Sequence, residues 1–349
     1  MQRDSLIGAR GAPSGAPRAS AQPPVSVLPS ASLVRRAAER IAPHIARTPL
    51  VRSPGLSDFL GGDVWLKCEC EQRTGSFKVR GAMNVVAQLG PAARAHGVVA
   101  SSAGNHGAGL AAAAQAFGVP CTVFVPSLAP AAKRDRIAAA GATVDATAPH
   151  YDGAEALARA FAARTGAIFV SPCTGRELLA GQGTVALEIR EDLPAVRTIV
   201  TNVGGGGLCG GMGGFLRDVA PHVALVGAQS AHTDAMARAL ATGAPADDPH
   251  RPTICDGLAG LVDAEMLAQG RASLARIAVV SEAAVRDTVA YLWIEEGYRV
   301  EGAGAAGVAA LLAGVAGPIE FPCAVVLSGG NIDDALHQHI LGRHVSDNA

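Results

Sequence analysis

A lysine set just after a Gly-Ser turn, at the start of a helical segment, is the first place to look for chemistry in this chain. In Thr74-Gly75-Ser76-Phe77-Lys78-Val79-Arg80-Gly81 the apolar residues that follow, Ala82, Val85, Val86 and Leu89, have helical character. Free backbone N–H groups at a helix start favour an anion, so the Lys78 amine is held beside a prospective phosphate or carboxylate site. A reactive amine is the natural partner of a carbonyl, through a Schiff base. Taken alone, an ordinary surface lysine near a turn reads the same way.

Three other turns raise the interest of Lys78. Ser101-Ser102-Ala103-Gly104-Asn105-His106-Gly107 gathers hydroxyls, an amide and bare backbone N–H groups where a helix should begin, a setting that holds a carboxylate. A plain N-cap needs one such residue, and here there are three. Gly204-Gly205-Gly206-Gly207 leaves the backbone free to curl its N–H groups around an anion. No G-x-x-x-x-G-K-[ST] loop is present, and no acidic residue follows at a ribose-binding distance, so one compact phosphate is a simpler ligand than a dinucleotide. Ser328-Gly329-Gly330-Asn331 puts a hydroxyl where it can hydrogen-bond a heteroaromatic nitrogen, or serve as an N-cap. A reactive lysine, a phosphate cradle and that hydroxyl together describe a pocket for pyridoxal 5'-phosphate.

These turns need elements to position them. Strand candidates are Val98–Ala100, Thr122–Val125, Thr143–Asp145, Ile168–Val170, Thr198–Asn202, Ala224–Gly227, Ile277–Val280 and Ala324–Leu327. Helical patterns lie between most of them, at Ala108–Phe117, Ala131–Ala140, Ala154–Arg164 and Ala283–Glu296. The alternation predicts an α/β fold with mostly parallel sheets covered by helices on both faces. In such folds ligands bind beyond the carboxyl ends of strands, where the chemistry-bearing turns fall.

Composition narrows the class. The chain has 349 residues, enough for two domains, with 49% hydrophobic residues, only 4% aromatics and 42 glycines, so its core packs backbone closely. A net charge of -1 gives no support to a nucleic-acid or anionic-membrane partner. Seven cysteines, an odd number without a C-x-x-C pair, fit a reducing, cytoplasmic setting. Cys68 and Cys70 lack zinc spacing, and His337 with His339 reads as a solvated helix end; no metal is expected. Met1 to Ser30, rich in Ala, Pro, Ser and Arg, reads as a disordered arm. Gly302 to Ile319 is uncharged, but its small residues suit a buried helix better than a membrane span.

The chain resembles the fold type II pyridoxal-phosphate enzymes of the tryptophan synthase beta-like superfamily, specifically the threonine/serine dehydratase (threonine ammonia-lyase) branch. The likeness runs from about Arg47-Thr48-Pro49-Leu50 to Asp333. It rests on Thr74-Gly75-Ser76-Phe77-Lys78, the Ser-Ala-Gly-Asn-His turn, Gly181-Gln182-Gly183-Thr184, the tetraglycine, Asp256-Gly257-Leu258 and Ser328-Gly329-Gly330-Asn331. It implies that Lys78, after Phe77, binds the cofactor and later moves the α-proton. Gly204, Gly205, Gly206 and Gly207 hold the phosphate, Asn105 bonds the phenolic oxygen, and Ser328 faces the pyridine nitrogen. Ser102, Ala103, Asn105 and His106 receive the substrate carboxylate, and Glu301 stands near the β-substituent. A neutral hydroxyl at the ring nitrogen suits β-elimination better than transamination. The expected reaction is dehydration and deamination of a 3-hydroxy amino acid such as L-threonine or L-serine. Alternatives are a larger 3-hydroxy amino acid, such as one from hydroxyectoine breakdown, a serine racemase-like activity, and a non-catalytic cofactor-binding protein.

The resemblance also implies a large cofactor domain over residues 31–69 and 172–349, a small substrate-side domain over 70–171, and a homodimer or homotetramer. Serine racemases of this branch carry a serine in place of Ala103, which disfavours racemisation here. Gln229 replaces the acid of relatives with a structural divalent cation. The regulated relatives carry a C-terminal effector domain, and the chain ends soon after Ser328, which points to an unregulated enzyme. Tyr151 reads as part of the substrate entrance or as packing.

Overall fold

The computed structural model describes residues 28–347, so residues 1–27 of the expected arm lie outside the described residues. The end of that arm is built into the fold. Leu28 is buried, and the Ser30 hydroxyl accepts from the Leu33 N–H to cap the helix Ala31–Ile41.

Among the described residues ten strands form two sheets. They are β1 (Leu50–Arg52), β2 (Val64–Lys67), β3 (Val98–Ser101), β4 (Cys121–Pro126), β5 (Thr143–Ala148), β6 (Ile168–Phe169), β7 (Thr198–Asn202), β8 (Ala224–Ser230), β9 (Arg276–Val280) and β10 (Cys323–Val326). The larger sheet runs β1-β2-β10-β7-β8-β9 and the smaller β5-β4-β3-β6. Every pairing is parallel except β1 with β2. All eight expected strands are present; β1 and β2 are additions.

Alternation along the strands sends side chains to two separate cores. Val200, Val226 and Val325 face one side of the larger sheet with the helix Gly302–Leu312, while Ile199, Leu225 and Ala324 face the other with the helix Gly207–Val219. The smaller sheet divides likewise, Val98 and Val123 against Val99 and Phe124. The expected buried helix is Gly302–Leu312, with all residues to Leu311 buried. Among the described residues no helix is long and apolar enough to cross a membrane.

Helices between the sheets meet through glycine. A Cβ on Gly181 would lie 2.6 Å from the Gly81 Cα, and one on Gly183 2.6 Å from the Gly211 carbonyl oxygen. The helix Arg176–Asp192 is thereby pressed against both Lys78–Ala87 and Gly207–Val219. Close backbone contact of this kind links the lysine helix to the glycine-loop helix.

One expectation fails. His337 is not at a solvated helix end: it is 3% exposed, and its ring packs edge-on against Trp293 with centroids 5.4 Å apart. Its helix, Asp334–Asp347, lies on Glu282–Ile294, so the histidine faces inward; His339 is exposed.

Candidate active site

Lys78 is the first residue of the helix Lys78–Ala87. The turn before it is fastened to the chain beyond β10. Ser76 bridges Gly329 antiparallel, the Phe77 N–H donates to the Ser328 carbonyl at 3.1 Å, and the Gly330 N–H donates to Gly75 at 2.9 Å. Lysine and Ser328 thus belong to one hydrogen-bonded unit although they lie far apart in sequence.

The Lys78 Nζ donates to the Pro172 carbonyl at 2.9 Å. The next residue, Cys173, lies on the glycine loop: a Cβ on Gly205 would meet its Sγ at 2.6 Å, and one on Gly207 its Cα at 3.0 Å. The Pro172-Cys173 segment therefore joins the amine to the loop. Gly206 has φ +88°, a left-handed conformation that glycine adopts without strain. Gly206 caps the helix Gly207–Val219, whose first-turn N–H groups have no intrahelical partner.

Ser328 is buried, and its Oγ accepts from the Asn202 Nδ2 at 3.0 Å, which leaves the serine proton free to be donated. Asn202 ends β7 and also donates to the Gly304 and Val326 carbonyls. It fixes the ends of two strands and the helix Gly302–Leu312 together.

On the opposite side, Asn105 opens the helix Asn105–Ala116 after β3. Its Nδ2 donates to Glu301 Oε1 at 2.6 Å, and its Oδ1 accepts from Asn331 Nδ2 at 2.7 Å. Glu301 stands at the N-cap of Gly302–Leu312, yet its side chain makes no capping bond. Burial, followed by the nearby Asp256 charge, pushes its carboxyl up to about 7. Lys133, from the smaller sheet's side, pairs with Asp256 in the turn Asp256–Leu258 between β8 and β9.

The Ser102 Oγ accepts from the Gly104 N–H at 3.2 Å, shaping the turn, and Ala103 is half-buried. His106 is buried and its Nε2 donates to the Val170 carbonyl at 2.9 Å. Burial, with the Lys78 charge second, holds its ring down to about 3, so it is neutral and its Nδ1 is an acceptor without a partner among the described residues. The His106 ring itself therefore brings no positive charge to a carboxylate. Tyr151 donates to the Ser101 carbonyl at 3.4 Å, over the end of β3.

Behind Lys78 lies a buried ion network. Arg80 donates to Glu69 at 2.7 and 2.8 Å and to Glu188 at 2.7 and 2.9 Å. Lys67 donates to Glu188 and to the Thr48 carbonyl, each at 2.6 Å. Burial alone would raise the Glu188 carboxyl; Arg80 and then Lys67 outweigh it and hold Glu188 below the usual range. Gln229 spends its amide on its own loop, donating to Thr233 and accepting from the Ala237 N–H.

The structure thus brings Lys78, Ser328 and the glycine loop into one assembly, and Asn105 with Glu301 into another, linked through Asn331 and the Thr74 carbonyl. Sequence reading gave no role to Asn202, the Pro172 carbonyl or Asn331. A phosphorylated aldehyde fits these residues: any Cβ on the four loop glycines would crowd Leu258, Cys173 or Met236, so the loop presents bare backbone at a helix start, and among the described residues the Gln269 amide beside the loop and the Ser76 hydroxyl, two residues before Lys78, are buried without partners.

The sequence profile of a family described as "Pyridoxal-phosphate dependent enzyme" matches residues 41–329. The L-threonine ammonia-lyase of Thermotoga maritima is 38% identical over 316 residues, 89% of this chain and 77% of that protein. A serine racemase of Oryza sativa subsp. indica is 32% identical over 305 residues, 86% of this chain and 90% of its own. Among solved structures, a T.th. threonine deaminase superposes with a TM-score of 0.80 at 33% identity, covering 87% of this chain and 99% of that one.

Proposed function

This chain belongs to the pyridoxal-phosphate dependent enzyme family as a fold type II lyase, and we propose that it dehydrates a 3-hydroxy amino acid such as L-threonine or L-serine to a 2-oxo acid and ammonia. The observation that carries the assignment of the site is the fastening of the Lys78 turn to Ser328, with the amine beside the segment that covers the glycine loop.

When bound, pyridoxal phosphate supplies the carbonyl that captures amino groups and a conjugated ring that accepts the electron pair left at Cα. The residues do the rest. The Gly204–Gly207 backbone and the start of its helix would hold the phosphate. Ser328, its oxygen already accepting from Asn202, would have its proton left to bind the ring nitrogen. Asn105, with one amide hydrogen on Glu301, would have the other left for the phenolic oxygen. The turn Ser102 to His106 receives the substrate carboxylate. Lys78 takes the Cα proton as the Cβ–O bond breaks. Glu301, protonated for part of the time near neutrality, is the acid that converts the departing hydroxide to water. The enamine released hydrolyses to the 2-oxo acid and ammonia.

Ala103 lacks the hydroxyl needed for a proton on the opposite face, which supports elimination over racemisation. The two sheets support a division into residues 31–69 with 172–349 and residues 70–171. Seven free thiols support a cytoplasmic setting, and a homo-oligomer is the expected assembly.

Borohydride reduction of the yellow protein and peptide mapping test the site: the adduct is expected on Lys78. Lys78→Ala should cut 2-oxo acid release at least about a thousandfold. A label on another lysine would overturn the assignment. Parallel assays with threonine, serine and bulkier analogues set the substrate.

A further inference from the structure

The helix Gly207–Val219 lies against a second helix, Ala264–Ser273, and from it Gln269 reaches the glycine loop. A Cβ on Gly210 would lie 3.3 Å from the Gln269 Oε1, and one on Gly206 3.6 Å. The amide therefore lies against the backbone of the helix's first turn, in space that two missing side chains leave open. Gln269 is fully buried, and among the described residues neither its oxygen nor its nitrogen has a hydrogen-bond partner. Its surroundings are apolar: Met236 and Met266 flank the same loop.

An amide so placed is costly, because it has given up water and received nothing. Methionine would fill the volume without that cost. The unpaired amide sits beneath a loop whose N–H groups form an anion site. The two observations are independent, one concerning a helix terminus and the other a side chain from a different helix.

We infer that Gln269 is a positioning residue for the cofactor phosphate, its amide pairing with the backbone of the glycine loop and bracing it when the anion is bound. The inference rests on the reading of Gly204–Gly207 as the phosphate loop. It assigns Gln269 no contact with substrate and no proton transfer. Its effect is confined to the phosphate end of the cofactor, so a ligand without a phosphate should not sense it.

The test uses the full chain stripped of cofactor and titrated, by absorbance, with pyridoxal phosphate and separately with pyridoxal. In the wild type, inorganic phosphate should compete with pyridoxal phosphate; absence of competition would overturn the phosphate-loop reading itself. With that established, Gln269→Met is expected to weaken pyridoxal phosphate binding about tenfold while pyridoxal changes less than about twofold. The Tm of the stripped Gln269→Met protein should equal or exceed that of the wild type, because an unpaired polar group has been removed. The phosphorus NMR shift of the bound cofactor should also move. Equal weakening of both ligands, unchanged pyridoxal phosphate affinity, or a lower Tm in the stripped variant would each overturn the inference. Gln269→Leu provides the same readings should the methionine variant fail to fold.

Discussion

Two buried carboxylate sites, one at Glu69 and Glu188 and the other at Glu301, are built in opposite ways. In the first, Glu69 and Glu188 meet Arg80 and Lys67, and every partner distance is 2.9 Å or less. Two negative charges face two positive ones, and Glu188 stays ionised despite burial. In the second, Glu301 receives one amide hydrogen from Asn105, and Asp256 adds further negative charge. Its carboxyl rises to about 7. Full compensation makes a carboxylate structural, and partial compensation leaves one that can exchange a proton near neutrality.

The contrast can be broken first at its structural side. Glu188→Ala leaves Arg80 and Lys67 buried with too little opposing charge, and should cost about 3–5 kcal/mol in urea unfolding. Glu301→Gln should do the reverse: a fold of near-unchanged stability, with kcat down about a hundredfold. If Glu301→Gln unfolds the protein as severely as Glu188→Ala, the distinction is false.

A finer test is pH. The raised Glu301 carboxyl means that the folded protein binds the proton more tightly than the unfolded chain does. Its contribution to stability is fully present below about 4.5 and is lost as pH rises through about 7. Cofactor-free wild type should lose on the order of 2 kcal/mol relative to Glu301→Gln across that window. The smallest effect belongs to Asp256→Asn. Its pair with Lys133 is half exposed, so stability should change by less than about 1 kcal/mol. Removing the Asp256 charge should move the Glu301 titration, followed by carbon NMR, to lower pH; a midpoint that stays in place would remove Asp256 from the account.

Much of this was legible in the sequence because the site is made of turns that carry their own signals. Strands β3, β7 and β10 end in Ser, Gly and Asn clusters, and the fold sets those ends together. What the sequence hid was non-local. β1 spans three residues and β2 four, and β2 ends on Lys67, which looks like a polar strand end until Glu188, 121 residues away, is seen to pair with it. The Pro172 carbonyl has no side-chain signature. Asn202 resembles any strand-terminal asparagine, and its four side-chain bonds reach residues more than 100 positions away. His337 misled because a helix near the terminus suggests exposure, whereas a neighbouring helix covers it.

The stitch between Ser76-Phe77 and Ser328-Gly329 has a consequence for movement. On the proposed assignment it joins the cofactor's lysine and the serine facing its ring into one lip, so neither shifts without the other. The lysine's helix also packs on Asn105–Ala116, where a Cβ on Gly109 would lie 3.0 Å from the Val79 nitrogen, so the lip rides with the smaller sheet's helices while it is stitched to the chain beyond β10. The vitamin's berth is thus a seam that both sheets share.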